Sequence, residues 1–210
     1  VTGGNVSFYN ESNMGAVYPT PVIGMVGLIE DSTKTMDISY KKTGDLIIAI
    51  GAINGGLGGT EYLKTCHDMI EGPIPNIDLD VELSIQKICL SLIKNGYINS
   101  AHDISDGGLA VNISESICGS VPGLGAKLNI DRKMRMDEIL FGEPQGVVIV
   151  STDPSNLHHV AMLSQEFNIH SQTIGVVTND SKLNINDVIN LERSKIESSY
   201  LHSLESTMKD

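Results

Sequence analysis

Apolar residues fall along this chain in short β-branched runs that alternate with stretches of helical period. The first run, residues 22–29, is set off by Pro19 and Pro21 and reads as a strand. Residues 45–50 (Asp-Leu-Ile-Ile-Ala-Ile) form a continuous apolar run, as expected of a strand covered on both faces. A glycine cluster at 51–59 leads into a short helix near Thr60. Over 81–95, Val81, Ile85, Ile88, Cys89 and Leu92 share one helical stripe, with Asp78 or Asp80 placed as N-cap and Gly96 as the stop. A strand at 98–102, a turn through Asp106-Gly107-Gly108 and a helix at 109–117 come next. They are followed by a strand at 127–131, a short helix at 134–140, a strand at 146–151, a helix opened by Pro154 and a strand at 173–177. This alternation predicts the α/β class, a mixed β-sheet with packed helices. The Ser- and Glu-rich stretch from about 187 to 208 predicts a polar terminal helix of low burial. Residues 21–210 read as one domain, without internal repeat or long linker, and residues 1–20 as the tail of a preceding one.

Composition narrows the function classes. Of 210 residues, 14 are Lys or Arg and 26 are Asp or Glu, a net charge of −12, while 40% are hydrophobic. Such a chain has material for a real core. Its pI near 4.8 argues against a nucleic-acid partner, which calls for basic patches, and against an anionic membrane surface. No apolar run approaches the ~20 residues that span a bilayer, and the polar, glycine-rich start is unlike a signal peptide, so the expected setting is cytoplasmic. Cys66, Cys89 and Cys118 are odd in number and widely spaced, which fits neither a disulfide framework nor a metal knuckle. The chain opens at Val1-Thr2-Gly3-Gly4 without an initiator methionine, and the expectation is a piece of a longer polypeptide.

Three segments are richer in glycine and short polar residues than packing requires. In Thr2-Gly3-Gly4-Asn5-Val6-Ser7-Phe8-Tyr9-Asn10-Glu11, the glycines allow close backbone approach to a ligand and successive N–H groups can form an anion nest. Asn5 offers an oxygen to Mg²⁺, Ser7 a hydroxyl to phosphate and Glu11 a carboxylate; a solvent-exposed turn is the alternative. In Gly51 to Glu61, a buried strand feeds a helix through glycines, the geometry of phosphate loops. It matches neither Walker A nor GxGxxG, so tight backbone packing and phosphate contact stand even. In Ser100 to Leu109, Asp103 and Asp106 stand three apart at the end of a strand, a pattern suited to Mg²⁺ carrying nucleotide phosphates. Asp106 is favoured as the cap of the following helix, and Asp103 as the metal ligand. His67, His158, His159, His170 and His202 lack ligand spacing.

Together and in this order, these segments resemble the phosphoribosylformylglycinamidine synthase family, in the C-terminal part of its small, bacterial-type synthetase subunit. The strings are Thr2 to Glu11, Pro19-Thr20-Pro21-Val22-Ile23-Gly24, Gly58-Gly59-Thr60-Glu61-Tyr62-Leu63, His102-Asp103-Ile104-Ser105-Asp106-Gly107-Gly108-Leu109 and Leu140-Phe141-Gly142-Glu143. The resemblance implies the aminoimidazole ribonucleotide synthetase superfamily, with residues 1–20 ending an N-type ATP-binding domain and 21–210 forming a C-type α/β domain. It implies an ATP-dependent carbon–nitrogen ligase of purine biosynthesis that turns formylglycinamide ribonucleotide and glutamine-derived ammonia into the amidine. Carried over by position, Gly4 would contact ATP, Asn5 would ligate Mg²⁺ and Ser7 would touch the ribonucleotide. Asp103, as a metal ligand, and Ser105 would face a second nucleotide site. Implied partners are a glutaminase, a small bridging subunit and the remainder of the same polypeptide. The general acid/base His of the family lies in the half that precedes these residues, so no catalytic residue is assigned and the isolated chain is expected to be inactive. The family's Phe-Gly-Glu-Ser-Gln-Ser-Arg appears here as Phe141-Gly142-Glu143-Pro144-Gln145-Gly146-Val147, which removes phosphate-holding donors. A non-catalytic structural or nucleotide-binding interaction domain is the alternative.

Overall fold

The structure, a computed structural model, describes residues 1–4, 11–13, 15–17, 21–131 and 135–208. The chain divides into two compact units, Val1–Thr35 and Met36–Asp210.

In the first unit, β1 (Gly3–Gly4) pairs antiparallel with β4 (Ile23–Gly24), and β2 (Glu11–Ser12) with β3 (Gly15–Ala16). The strand expected over residues 22–29 shrinks to those two residues of β4. Val22, Met25, Val26, Leu28 and Ile29 are exposed. A unit this small closes no core of its own, and among its described residues only β1 pairs with the run as a strand.

The second unit carries a seven-stranded sheet. Its strands are β5 (Leu46–Ile50), β6 (Ser100–Asp103), β7 (Gly125–Leu128), β8 (Val148–Thr152), β9 (Ser171–Thr178), β10 (Lys182–Ile185) and β11 (Ile189–Glu192), ordered β11-β10-β7-β9-β5-β8-β6. β10 and β7 run parallel and the other neighbours antiparallel, so the mixed α/β class is as expected. The helices are α1 (Glu61–His67), α2 (Leu79–Asn95), α3 (Gly108–Cys118), α4 (Met136–Phe141), α5 (Leu157–Glu166), α6 (Arg193–Leu201) and α7 (Ser203–Thr207).

Strand periodicity distributes the apolar run of β5 to both faces. Ile47 and Ala49 enter one core with Leu109, Ile113 and Ile117 of α3, Ile139 of α4 and Ile196 of α6. Ile48 and Ile50 enter another with Ile85, Ile88 and Leu92 of α2 and Val160 of α5. Each fully buried aliphatic side chain contributes about 1.5–3 kcal/mol, so the sheet is held from both sides. Helix α2 starts and stops where its sequence indicates. Asp78 Oδ1 accepts from the N–H groups of Asp80 at 3.0 Å and Val81 at 3.1 Å, and Gly96 closes the helix at φ +69°.

Several boundaries differ from the expected ones. β7 begins at Gly125 and ends at Leu128, the four residues that pair with β9, of which 126–128 also pair with β10. Met134, expected to start α4, lies outside the described residues, and α4 begins at Met136. Pro154 opens a short 3-10 turn capped by Asp153, and α5 follows. The polar helical tail expected from about residue 187 begins instead at Arg193, because 189–192 pair with β10 in a hairpin. Asn186 and Asp187 turn that hairpin at φ +51° and +57°, the left-handed backbone that Asn and Asp tolerate best.

Candidate functional site

β5 and β6 are both antiparallel to β8, so their C-terminal ends and the start of β8 share one rim of the sheet. Three motif segments meet there. The chain leaves β5 at Gly51, φ +105°, where a side chain would collide with the Gly146 carbonyl. In the glycine cluster, a Cβ at Gly55 would lie 2.8 Å from both the ring and the nitrogen of Pro144, and one at Gly58 would run into the Pro73 carbonyl. The even choice left by the sequence between packing and phosphate contact therefore falls to packing at these two glycines. Thr60 then caps α1: its hydroxyl accepts from Leu63 N–H at 3.3 Å and donates to the Leu57 carbonyl at 2.7 Å.

The second segment turns from β6 into α3. Gly107 and Gly108 sit at φ +81° and +73°, and a Cβ on Gly108 would come within 2.7 Å of the Gly142 carbonyl. Glu143 joins all three segments. Its Oε1 accepts from Glu61 N–H at 2.9 Å and from Gly107 N–H at 2.8 Å, tying the start of α1 to the start of α3. Tyr62 stacks on Phe141 with ring centroids 4.7 Å apart and planes 4° from parallel. Asp106, favoured from sequence as the cap of α3, does not cap it. Gly107 takes the N-cap position without a side-chain bond, and Glu143 supplies the acceptor from a distant segment.

A cavity of about 610 Å³ opens on this rim, lined by Glu82 and Cys89 of α2 together with Asp103, Asp106, Glu143 and Gln145. Ser105, also in its wall, donates to Asp103 Oδ2 at 2.6 Å. The structure thus places the predicted residues Asp103 and Ser105 together at one cavity. His102, on the other side of β6, faces Glu115 with Nε2 to Oε2 at 3.2 Å. Burial pushes the Cys89 thiol up from its ordinary value, which keeps it protonated and a poor nucleophile. Gly4, in β1 of the first unit, is exposed; Asn5 and Ser7 lie outside the described residues.

Among the described residues, the cavity wall holds four carboxylates, Glu82, Asp103, Asp106 and Glu143, and no Lys or Arg. A bare polyphosphate would be repelled there. Among the described residues no group of three His, Cys, Asp or Glu side chains is set to hold a metal ion by itself. Mg²⁺ nevertheless suits the donor set, because it commonly takes one or two carboxylates and completes its shell with phosphate oxygens and water. The exposed Asp103 carboxylate, oriented by Ser105, is the donor best placed for that. Among the described residues no helix is long and apolar enough to cross a membrane.

The sequence did not single out Glu143 beyond its motif, nor Arg193.

Comparison with known proteins gives a consistent result. Residues 42–188 match the family described as AIR synthase related protein, C-terminal domain. The phosphoribosylformylglycinamidine synthase subunit PurL of Alkaliphilus metalliredigens is 38% identical over 195 residues, 92% of this chain and 26% of the relative. The subunit of that name from a Thermoanaerobacter species is 40% identical over 203 residues, covering 95% and 27%. The chain thus spans about a quarter of the length of these relatives. Among solved structures, Thermotoga maritima phosphoribosylformylglycinamidine synthase II aligns over 79% of this chain and 28% of its own, with a TM-score of 0.63 at 19% identity. T. maritima PurL complexed with FGAR aligns over 79% and 30%, with a TM-score of 0.67 at 19% identity. These structures share the fold.

Proposed function

The chain belongs to the AIR synthase related family, whose C-terminal domain it carries at residues 42–188, and from that premise we propose that it works as part of a phosphoribosylformylglycinamidine synthase. The observation that carries this reading is the meeting at one rim of three motif strings, Gly58 to Glu61, His102 to Leu109 and Leu140 to Glu143, joined by the Glu143 carboxylate. Relatives that bear the synthase name, at 38% and 40% identity over most of this chain, support it.

The proposed reaction is the ATP-dependent amidination of formylglycinamide ribonucleotide in purine biosynthesis, in the cytoplasm. Phosphorylation would activate the formyl amide oxygen, and ammonia released from glutamine would displace phosphate. Reactions of this type depend on positioning and on stabilising charge at the transferring phosphoryl group. Gly4, Asn5 and Ser7 are proposed to contact ATP, Mg²⁺ and the ribonucleotide respectively. Asp103 and Ser105 are proposed to serve a second nucleotide, with Asp103 bound to its Mg²⁺. That ion would supply the positive charge the acidic wall lacks. Residues 1–20 would complete an N-type domain supplied by the rest of the polypeptide, with a glutaminase and a small bridging subunit as partners. The isolated chain is proposed to be inactive.

A second reading, that this domain only holds a nucleotide without turning it over, draws on the same rim. Glu143 is engaged by two backbone N–H groups, and Pro144-Gln145-Gly146-Val147 offers no cationic or hydroxyl side chain. The deciding measurement is phosphate release from ATP with formylglycinamide ribonucleotide and ammonium. It is made with this chain alone, then with the segment that precedes it in the relatives. Release in the mixture alone supports the synthase reading. A stable but inactive complex with intact nucleotide affinity overturns it in favour of the holding domain.

A further inference from the structure

β6 ends the sheet order, with β8 as its strand neighbour on one side. The turn that presents Asp103 and Asp106 therefore leaves an edge strand, whose other side takes a backbone bond at Ala101, N–H to the Asp37 carbonyl at 3.1 Å. On its inner face lies α3, and there Asn112 is 2% exposed. Its Nδ2 donates to the carbonyl oxygens of two consecutive residues, His102 at 3.3 Å and Asp103 at 2.7 Å. Both facing atoms are acceptors, so the carboxamide can only turn its NH₂ toward them. Its Oδ1 is then left buried without a hydrogen-bond partner.

A buried unpaired acceptor works against folding. A leucine of similar size would fill the same space without it. Asn112 thus carries a cost to the fold, and what it provides in return is local: the two carbonyls where β6 gives way to the turn. The next residue, Ile104, extends the bonding on the β8 side by its N–H to the Val147 carbonyl at 3.0 Å. We infer that Asn112 is a positioning residue for the Asp103–Asp106 turn, fixing the end of β6 so that both carboxylates face the cavity. Its functional consequence rests on the reading of that cavity as a nucleotide site.

The test uses the full 210-residue chain and two substitutions, Asn112→Leu and Asn112→Asp. Leucine removes the donor and the orphaned acceptor together. The melting temperature is expected to stay within a few degrees of wild type, while amide hydrogen exchange of residues 105–107 speeds up. The dissociation constant for Mg·ATP, by calorimetry, is expected to rise about tenfold, the worth of roughly one net hydrogen bond. Aspartate keeps the shape but turns a carboxylate toward two carbonyls, so exchange and affinity should suffer more than with leucine. Unchanged exchange in both variants overturns the inference. So do exchange and affinity that move only in step with a fall in melting temperature, since that is the mark of a purely structural residue. If the wild-type chain itself binds no Mg·ATP, the nucleotide reading fails, and the exchange comparison still decides the role of Asn112.

Discussion

The two ends of α3 are closed by single charged side chains from distant parts of the chain, and by opposite means. At the N-terminus the Glu143 carboxylate receives Gly107 N–H and, with the same oxygen, Glu61 N–H. At the C-terminus Arg193, 7% exposed, sends one terminal nitrogen to the carbonyls of Val121 and Leu124 at 2.7 and 3.4 Å. The other reaches those of Ser120 and Cys118 at 2.7 and 3.5 Å, and Nε pairs with Glu197 at 2.7 Å. Each charge suits the helix dipole at its end. The difference lies in saturation. Arg193 spends its donors inside the fold and does nothing else, whereas Glu143 holds its turn by one oxygen beside an open, acidic cavity. The end far from the cavity is fastened for stability, and the end at the cavity is fastened lightly, by glycines that fit and one carboxylate.

The largest expected effect tests the fastened end. Arg193→Ala takes the guanidinium away from four carbonyls and Glu197 and should cost about 3–5 kcal/mol in urea unfolding. A loss under about 1 kcal/mol would show that the surrounding backbone relaxes and that the clamp is dispensable. Next come the glycines of the light end. Gly108→Ala combines a left-handed backbone with a Cβ pressed on the Gly142, Leu140 and Phe141 backbone, and should cost about 2–4 kcal/mol. Gly96→Ala, at φ +69° with open space around it, should cost only about 1 kcal/mol. Equal losses would mean that the close approach of backbone at Gly108 contributes nothing.

Glu143→Ala is expected to cost about 2 kcal/mol, and Glu143→Gln, which keeps a neutral acceptor, about 1 kcal/mol. If Gln behaves as Ala does, it is the charge at the helix start that matters, not the acceptor. The smallest effect lies at the opposite rim. Asp45 is fully buried, and burial holds its carboxyl above the ordinary value, against the opposing bond from Asn99 at 2.7 Å. A carboxyl whose folded value is raised favours the folded state below its unfolded value, and that contribution is lost as pH rises through the folded value. Stability should therefore decline as pH rises above about 4. Asp45→Asn should flatten that slope in unfolding titrations; an unaltered slope would assign it to other groups.

Most of the sheet's interior was legible because its signals are local. The run at 45–50 could only be a strand with two covered faces, and Asp78 with Gly96 bracket α2 by capping chemistry alone. The hairpin of β10 and β11 was not read, although Leu183, Ile185, Ile189 and Leu191 alternate around Asn186-Asp187; the polar residues between them drew the whole tail toward a helix. Arg193 could not be read, since its partners come from the end of α3 and only the folded chain brings them together. At the cavity, Asp103 and Ser105 were legible by motif. The part played by Glu143 was not, because a carboxylate that gathers N–H groups from 61 and 107 leaves no periodicity in the sequence around 143.

The placement of β5 at the heart of the sheet has a consequence for synthesis. Its two neighbours, β8 and β9, begin at Val148 and Ser171. As the polypeptide leaves the ribosome, Leu46–Ile50 has no strand to pair with until roughly a hundred further residues have been added, on the order of ten seconds of translation. During that interval the most apolar segment of the unit is an open template, and the nascent chain depends on α2, already made, or on a chaperone to shield it.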